Sequence, residues 1–196
     1  MNRFYSGAVT VVGTILSLFL PWETEGLDHI PPGAVLVCGN HNSNWDPVLV
    51  ALAFTKRHPL HFMERVELTR IPVLGTIIKW LGAFGVDRGH SDLGAIRQAI
   101  QYLKNGETVM MFPQGGREKD NHKEAKTGAA LLALRTGVPV LPVYITKKKR
   151  IFRKNKVIIG HPYYPQKTGK WSTAEEYRLV AGDLMNRIIA LGNGHE

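Results

Sequence analysis

A chain of 196 residues with 44% apolar side chains can fill one good core and is short for two domains. Its net charge of +9 is set by 25 Lys and Arg against 16 Asp and Glu, so any large partner surface should be anionic. A single cysteine, Cys38, excludes an intrachain disulfide and suits a protein of the cytosolic side; no repeat or low-complexity tract is present.

Residues 4–20 carry no charge. Phe4, Ala8, Val11, Val12, Ile15, Leu18 and Phe19 recur at helical spacing, while Ser6, Thr10, Gly13, Thr14 and Ser17 fall largely on the other side. Pro21 stops the helix, and Trp22 follows at a position suited to a membrane interface. Seventeen residues at ~1.5 Å each give roughly 25 Å, marginal against a hydrocarbon core of ~30 Å. With only Arg3 before it and no Ala-x-Ala site ahead of Pro21, the segment is a poor signal peptide. It reads as an interfacial or partly inserted anchor, with a core helix of the globular domain as the rival.

Short apolar runs then alternate with helical patterns. The predicted strands are Ala34–Cys38, Leu60–Met63, Ala83–Asp87, Thr108–Phe112, Val140–Ile145 and Val157–Gly160. The predicted helices are Pro47–Phe54, Pro72–Leu81, Asp92–Lys104, Glu124–Thr136 and Thr173–Leu191. Gly137 and Pro139 stop the fourth, and Ser172 or Thr173 caps the fifth. This alternation predicts an α/β single domain with a mixed, largely parallel sheet flanked by helices, preceded by the N-terminal membrane-associating helix.

Between the first core strand and its helix lies Gly39-Asn40-His41-Asn42-Ser43-Asn44-Trp45-Asp46-Pro47. Polar residues at the end of a strand are where open α/β sheets bind ligands. Asp46-Pro47 reads as a helix N-cap and first turn. A tight loop can fold His41 back onto Asp46, which would fix the imidazole tautomer and leave its other nitrogen as a base. Alone, a His five residues before an Asp is a weak signal, and a polar loop whose Asp only caps a helix explains it as well. No Gly-x-Ser-x-Gly elbow and no phosphate-binding Gly-x-x-x-x-Gly-Lys loop occurs. Cys38 falls inside a strand, and His58 and His61 lack a convincing set of metal-ligating partners.

The densest charge run is Lys147, Lys148, Lys149, Arg150, Arg153, Lys154 and Lys156, with no acid among them. It reads as a surface for anionic lipid or phosphorylated substrate, or as a solvated loop. Phe152 alone gives no stacking platform for nucleic acid, which is not expected as a partner. Near an anionic bilayer each such cation would add roughly 1 kcal/mol.

Four blocks in order resemble the lysophosphatidic acid acyltransferase family of glycerolipid acyltransferases. The first is Asn40-His41-Asn42-Ser43-Asn44-Trp45-Asp46, matching Asn-His, four residues and Asp. The second is Gly82-Ala83-Phe84-Gly85-Val86-Asp87-Arg88, approached by Glu67-Leu68-Thr69-Arg70-Ile71-Pro72. The third, Phe112-Pro113-Gln114-Gly115-Gly116-Arg117-Glu118, stands where the family has Phe-Pro-Glu-Gly-Thr-Arg-Ser. The fourth is Val138-Pro139-Val140-Leu141-Pro142-Val143, preceded by a family-like Lys126-Thr127-Gly128-Ala129.

The resemblance implies catalysis by His41 and Asp46 and a donor that is acyl-CoA or acyl-carrier protein. It implies a lysophospholipid-type acceptor, 1-acylglycerol-3-phosphate first, bound through Arg88, Gln114, Gly115, Gly116 and Arg117. No metal or bound cofactor is required. The division expected is residues 1–22 as a membrane anchor and 23–196 as the acyltransferase domain, working at the cytoplasmic face of a membrane. An apolar groove or tunnel for the acyl chain is expected along Val48–Phe54 and Pro72–Leu81. The altered third block leaves a different lipid or glycolipid acceptor, a non-catalytic lipid-binding protein or a hydrolase as alternatives.

Overall fold

A computed structural model describes residues 3–54, 58–65, 83–86, 93–116, 125–167, 169 and 172–193. The predicted helix Pro72–Leu81, the stretch 66–82, Arg88 and Arg117 lie outside those residues.

Among the described residues the six apolar runs and one further segment form a sheet of seven strands: Trp22–Glu25 (β1), Leu36–Gly39 (β2), Leu60–Arg65 (β3), Ala83–Val86 (β4), Thr108–Met111 (β5), Val140–Ile145 (β6) and Asn155–Ile159 (β7). Their order is β1-β7-β6-β2-β5-β3-β4. Every neighbouring pair is parallel except β6 and β7. At the centre, Leu36 lies opposite Val109 and Val140, and Cys38 opposite Met111 and Pro142.

Both faces of the centre are covered, which is why these strands read as continuous apolar runs. Val35 and Val37 join one buried cluster, Leu36 and Cys38 the other. The helices Arg3–Phe19 (α1) and Asp46–Phe54 (α2) cover the first face. Leu93–Lys104 (α3), Gly128–Thr136 (α4) and Ala174–Leu191 (α5) cover the second. Predicted stop and start signals operate as expected. Gly137 ends α4 in the left-handed conformation (φ 69°), and Thr173 caps α5 by accepting the Glu176 amide at 3.1 Å.

Three elements differ from expectation. First, Trp22 opens a strand that was not predicted, β1, where it pairs with Asn155 and packs partly buried against the core. Its strand, Trp-Glu-Thr-Glu, lies at the sheet edge, where water keeps polar side chains acceptable. Second, every residue of α2 is buried. Val48–Phe54 is therefore a core helix packed on α1, β1, β3 and β7, and the other expected wall of the acyl site, Pro72–Leu81, lies outside the described residues.

Third, α1 meets the core through Gly13 and Leu16, with Leu20 following. Gly13 lets it approach α2, since a Cβ there would stand 3.1 Å from a Leu52 methyl. Leu16 and the following Leu20 are buried, each worth about 1.5–3 kcal/mol. Val11, Leu18 and Phe19 remain exposed. The Thr14 and Ser17 hydroxyls donate to the Thr10 and Thr14 carbonyls at 2.8 and 2.7 Å, so neither demands water. Among the described residues no helix is long and apolar enough to cross a membrane.

Candidate active site

Three adjacent parallel strands, β5, β2 and β6, end side by side. The helix after β2 lies on one face of the sheet, and the helix after β5 on the other. Connections that diverge in this way open a crevice at the carboxyl ends of the strands. The loop 40–45 follows β2, the turn 112–116 follows β5, and the loop 146–154 follows β6.

Asn40 joins two of these ends. Its Oδ1 accepts the Ile145 amide at 2.7 Å and its Nδ2 donates to the Ile145 carbonyl at 2.8 Å, extending the ladder by one side chain. Nδ2 also lies 2.9 Å from Asn42 Oδ1. These buried backbone groups would otherwise each forfeit about 1–3 kcal/mol.

The next residue, His41, is nearly buried, with its ring stacked on Phe112 at 4.3 Å. Its Nδ1 lies 3.0 Å from Asp46 Oδ2. A carboxylate only accepts, so Nδ1 carries the hydrogen and Nε2 presents a lone pair. The Asp46 carboxylate was expected to cap α2, but it turns back into the loop. Oδ2 also accepts the Asn42 and Ser43 amides, each at 2.7 Å, and the chain is closed by Asp46 N–H on the Ser43 carbonyl at 3.0 Å. That ring of amides is how a five-residue offset brings the two side chains together.

Asp46 is fully buried, and its other oxygen, Oδ1, lies 2.6 Å from Lys149 Nζ. Burial alone would push the carboxyl up. The hydrogen bond from His41, the charge and hydrogen bond of Lys149 and the Ser43 amide outweigh it, so the group ionises below the usual carboxylate range.

Gln114 is buried, and its Oε1 accepts the His41 amide at 2.8 Å. The acceptor oxygen is thus committed to the backbone of His41. Gly115 has φ 67° and donates its amide to the Phe112 carbonyl at 2.9 Å, so that N–H is already used within the turn. A Cβ on Gly115 would sit 2.7 Å from Lys126 Cδ. Gly116 is buried at the end of the described turn. Arg88 and Arg117 lie outside the described residues, so the structure brings together five of the seven expected site residues.

Two side chains with chemistry of their own stand apart from the crevice. Cys38 is buried inside β2, and burial pushes its thiol up, away from nucleophile chemistry. His61 pairs with Glu107 at 2.7 Å and stacks on Tyr102. Lys149 was missed as a site residue because it is one of seven cations in a run, and nothing local marks the one that turns inward. Asn40 carried a signal, its place beside His41, without revealing its bond to β6.

The sequence profile of the acyltransferase family matches residues 22–146, which run from β1 through β6 and contain His41, Asp46 and Gln114. A 1-acyl-sn-glycerol-3-phosphate acyltransferase of Bacillus subtilis is 28% identical over 198 residues, covering 98% of either chain. One from Streptococcus pneumoniae is 37% identical over 140 residues, covering 67% of this chain and 52% of its own, so this chain spans about half that relative's length. The crystal structure of the 1-acyl-sn-glycerophosphate acyltransferase of Thermotoga maritima superposes with a TM-score of 0.67 at 28% identity, covering 99% of this chain and 80% of that one. With residues 22–146, well over half of its length, matched by the family profile, the chain belongs to the acyltransferase family.

Proposed function

We propose that the chain transfers a fatty acyl group from acyl-CoA or acyl-carrier protein to a hydroxyl of a lysophospholipid. In this reading 1-acylglycerol-3-phosphate is the acceptor and phosphatidic acid the product. The observation that carries the reading is the 3.0 Å bond from His41 Nδ1 to a buried, ionised Asp46. The names of the Bacillus and Streptococcus relatives support the acceptor.

His41 Nε2 takes the proton of the acceptor hydroxyl as its oxygen attacks the thioester carbonyl. Asp46 steadies the imidazolium so formed. The tetrahedral intermediate expels the thiolate, which takes that proton from His41 and leaves as the thiol. The donor is already activated, so no covalent enzyme intermediate is needed. Gly115 has spent its amide within its own turn, so of the two glycines Gly116 is the one left to serve an oxyanion. Arg88 and Arg117 hold the acceptor phosphate, as the resemblance implies. Gln114 acts through the His41 backbone it binds.

The reaction runs at a membrane surface, with residues 1–22 contributing the anchor. Leu18 and Phe19 at the end of α1 and Ile151 and Phe152 at the tip of the β6–β7 loop are all exposed. Phe152 meets Phe19 at 6.0 Å and donates its amide to the Phe19 carbonyl. Lys148, Arg150 and Arg153, also exposed, flank this apolar tip with charge suited to anionic headgroups.

The test is product identification by mass spectrometry with acyl-CoA and acyl-carrier protein donors over a panel of lysolipid, glycolipid and water acceptors. Acceptor-dependent thiol release that disappears in His41→Ala, with binding to anionic vesicles retained, is expected. Near-native transfer by His41→Ala would sink the mechanism. Turnover with a glycolipid alone would move the acceptor, and release of free fatty acid would make the protein a hydrolase.

A further inference from the structure

The basic run after β6 is not uniformly solvated. Lys156 pairs with Glu25 at 2.7 Å and Lys154 with Glu23 at 3.5 Å, both across to β1. Lys147, Lys148, Arg150 and Arg153 are exposed. Lys149 alone of the run turns in to Asp46: its side chain is only 9% exposed, and its ammonium bonds Asp46 Oδ1 and the Thr146 carbonyl. Ordering a lysine side chain costs rotamer entropy, so such a lysine needs a partner that compensates.

The loop is shaped to deliver it. Buried Asn155, the first residue of β7, accepts the Arg150 amide through Oδ1 at 2.9 Å. Its Nδ2 lies within 3.1 Å of the Pro21, Arg150 and Arg153 carbonyls. One side chain thus holds both limbs of the loop. Thr146 closes its base by accepting the Lys156 amide at 2.8 Å. Lys149 also lies just beyond residues 22–146, the span shared with the family profile.

We infer that Lys149 is a positioning residue of the acyl-transfer site, holding Asp46 through Oδ1 so that Oδ2 stays in register with His41 Nδ1. This rests on the reading of His41 as the base. The two carboxylate oxygens divide the work: Oδ2 binds the loop amides and the imidazole, and Oδ1 binds the cation. Without Lys149 the carboxylate could rotate toward any other donor. It would also present an uncompensated charge to His41, and the imidazolium would be favoured. The charges facing Lys149 among the described residues are Asp46 and, across it, His41.

The test compares Lys149→Gln, which keeps a donor and loses the charge, with Lys149→Arg, which keeps the charge. The Gln variant should lose about tenfold or more in kcat through misplacement of the base, with the acceptor KM little changed. The acid limb of its rate profile should move to higher pH, and Lys149→Arg should recover much of both. Ring-nitrogen NMR of His41 in the substrate-free protein gives an independent reading. Its titration midpoint should rise in Lys149→Gln and stay near wild type in Lys149→Arg. An unmoved midpoint in Lys149→Gln overturns the assignment, as does a loss confined to acceptor KM, which would make Lys149 a substrate ligand. Should Lys149→Gln fail to fold, Lys149→Arg decides alone, and a moved midpoint there overturns it. Activity retained by His41→Ala would instead refute the base reading, while the NMR arm would still judge the bond to Asp46.

Discussion

Replacing Asp46 with Asn tests how the site is held together. Asn keeps the shape but offers one acceptor oxygen and one NH2. With the oxygen at the Oδ2 position, His41, Asn42 and Ser43 keep their acceptor, and the NH2 meets the Lys149 ammonium 2.6 Å away. Flipped, the NH2 faces three donors. Either way the nearly buried Lys149 loses its counter-charge, and breaking a buried pair from one side costs about 3–5 kcal/mol. Urea unfolding at pH 7, followed by tryptophan fluorescence, should register that loss. The double variant Asp46→Asn/Lys149→Met, which removes the orphaned cation, should then be more stable than Asp46→Asn by about 1 kcal/mol or more. Transfer should stay low in both, since the equivalent change in Ser-His-Asp triads costs about 10⁴ in rate. A single variant within about 1 kcal/mol of wild type, or a double variant no better than the single, would refute this account of a compensated buried charge.

Three shorter predictions probe neighbouring features. Gln114→Leu leaves the His41 amide without its acceptor and should cost about 1–3 kcal/mol with a fall in kcat; unchanged thermal stability and rate would deny the bond its role. Gly115→Ala forces a Cβ into the left-handed region against Lys126 and should destabilise by about 1–2 kcal/mol, as chemical denaturation would show. Because Asp46 ionises more readily folded than unfolded, its contribution is complete above the ordinary carboxyl value of about 3.9 and is lost as pH falls through its lower folded value. Urea midpoints below pH 5 should therefore fall less steeply with acid in Asp46→Asn than in wild type, and parallel slopes would count against the depressed ionisation.

The central strands were legible because parallel strands covered on both faces must be apolar throughout, and β2, β5 and β6 fall within two residues of their predicted bounds. The strand β1 was not legible. Its Glu23 and Glu25 are held by Lys154, just before β7, and by Lys156 within it, some 130 residues away, and no local pattern encodes such pairing. The side of α1 that docks was also hidden. Val11, Leu18 and Phe19 belong to the apolar stripe yet are exposed, while Gly13 comes close to Leu52 of α2 and Leu16 and Leu20 are buried. At the site, the segment from Asn40 to Asp46 announced the two side chains that meet. What escaped was how neighbouring loops serve them. Gln114 read as a group facing the acceptor, yet its oxygen holds the His41 amide. The inward cation was one of seven candidates.

The β6–β7 connection shows how chain length can be set by a remote need. Two residues suffice to join antiparallel neighbours, whereas residues 146–154 intervene here, an excursion that reaches back over the end of β2. Its inner side ends on Asp46 and its outer tip carries Ile151 and Phe152. Trimming it to a tight reverse turn, an ordinary way to stiffen a hairpin, would leave the sheet intact while disconnecting the site from the face that meets its surroundings. In this protein the hairpin is the wrong place to seek thermal stability by shortening loops.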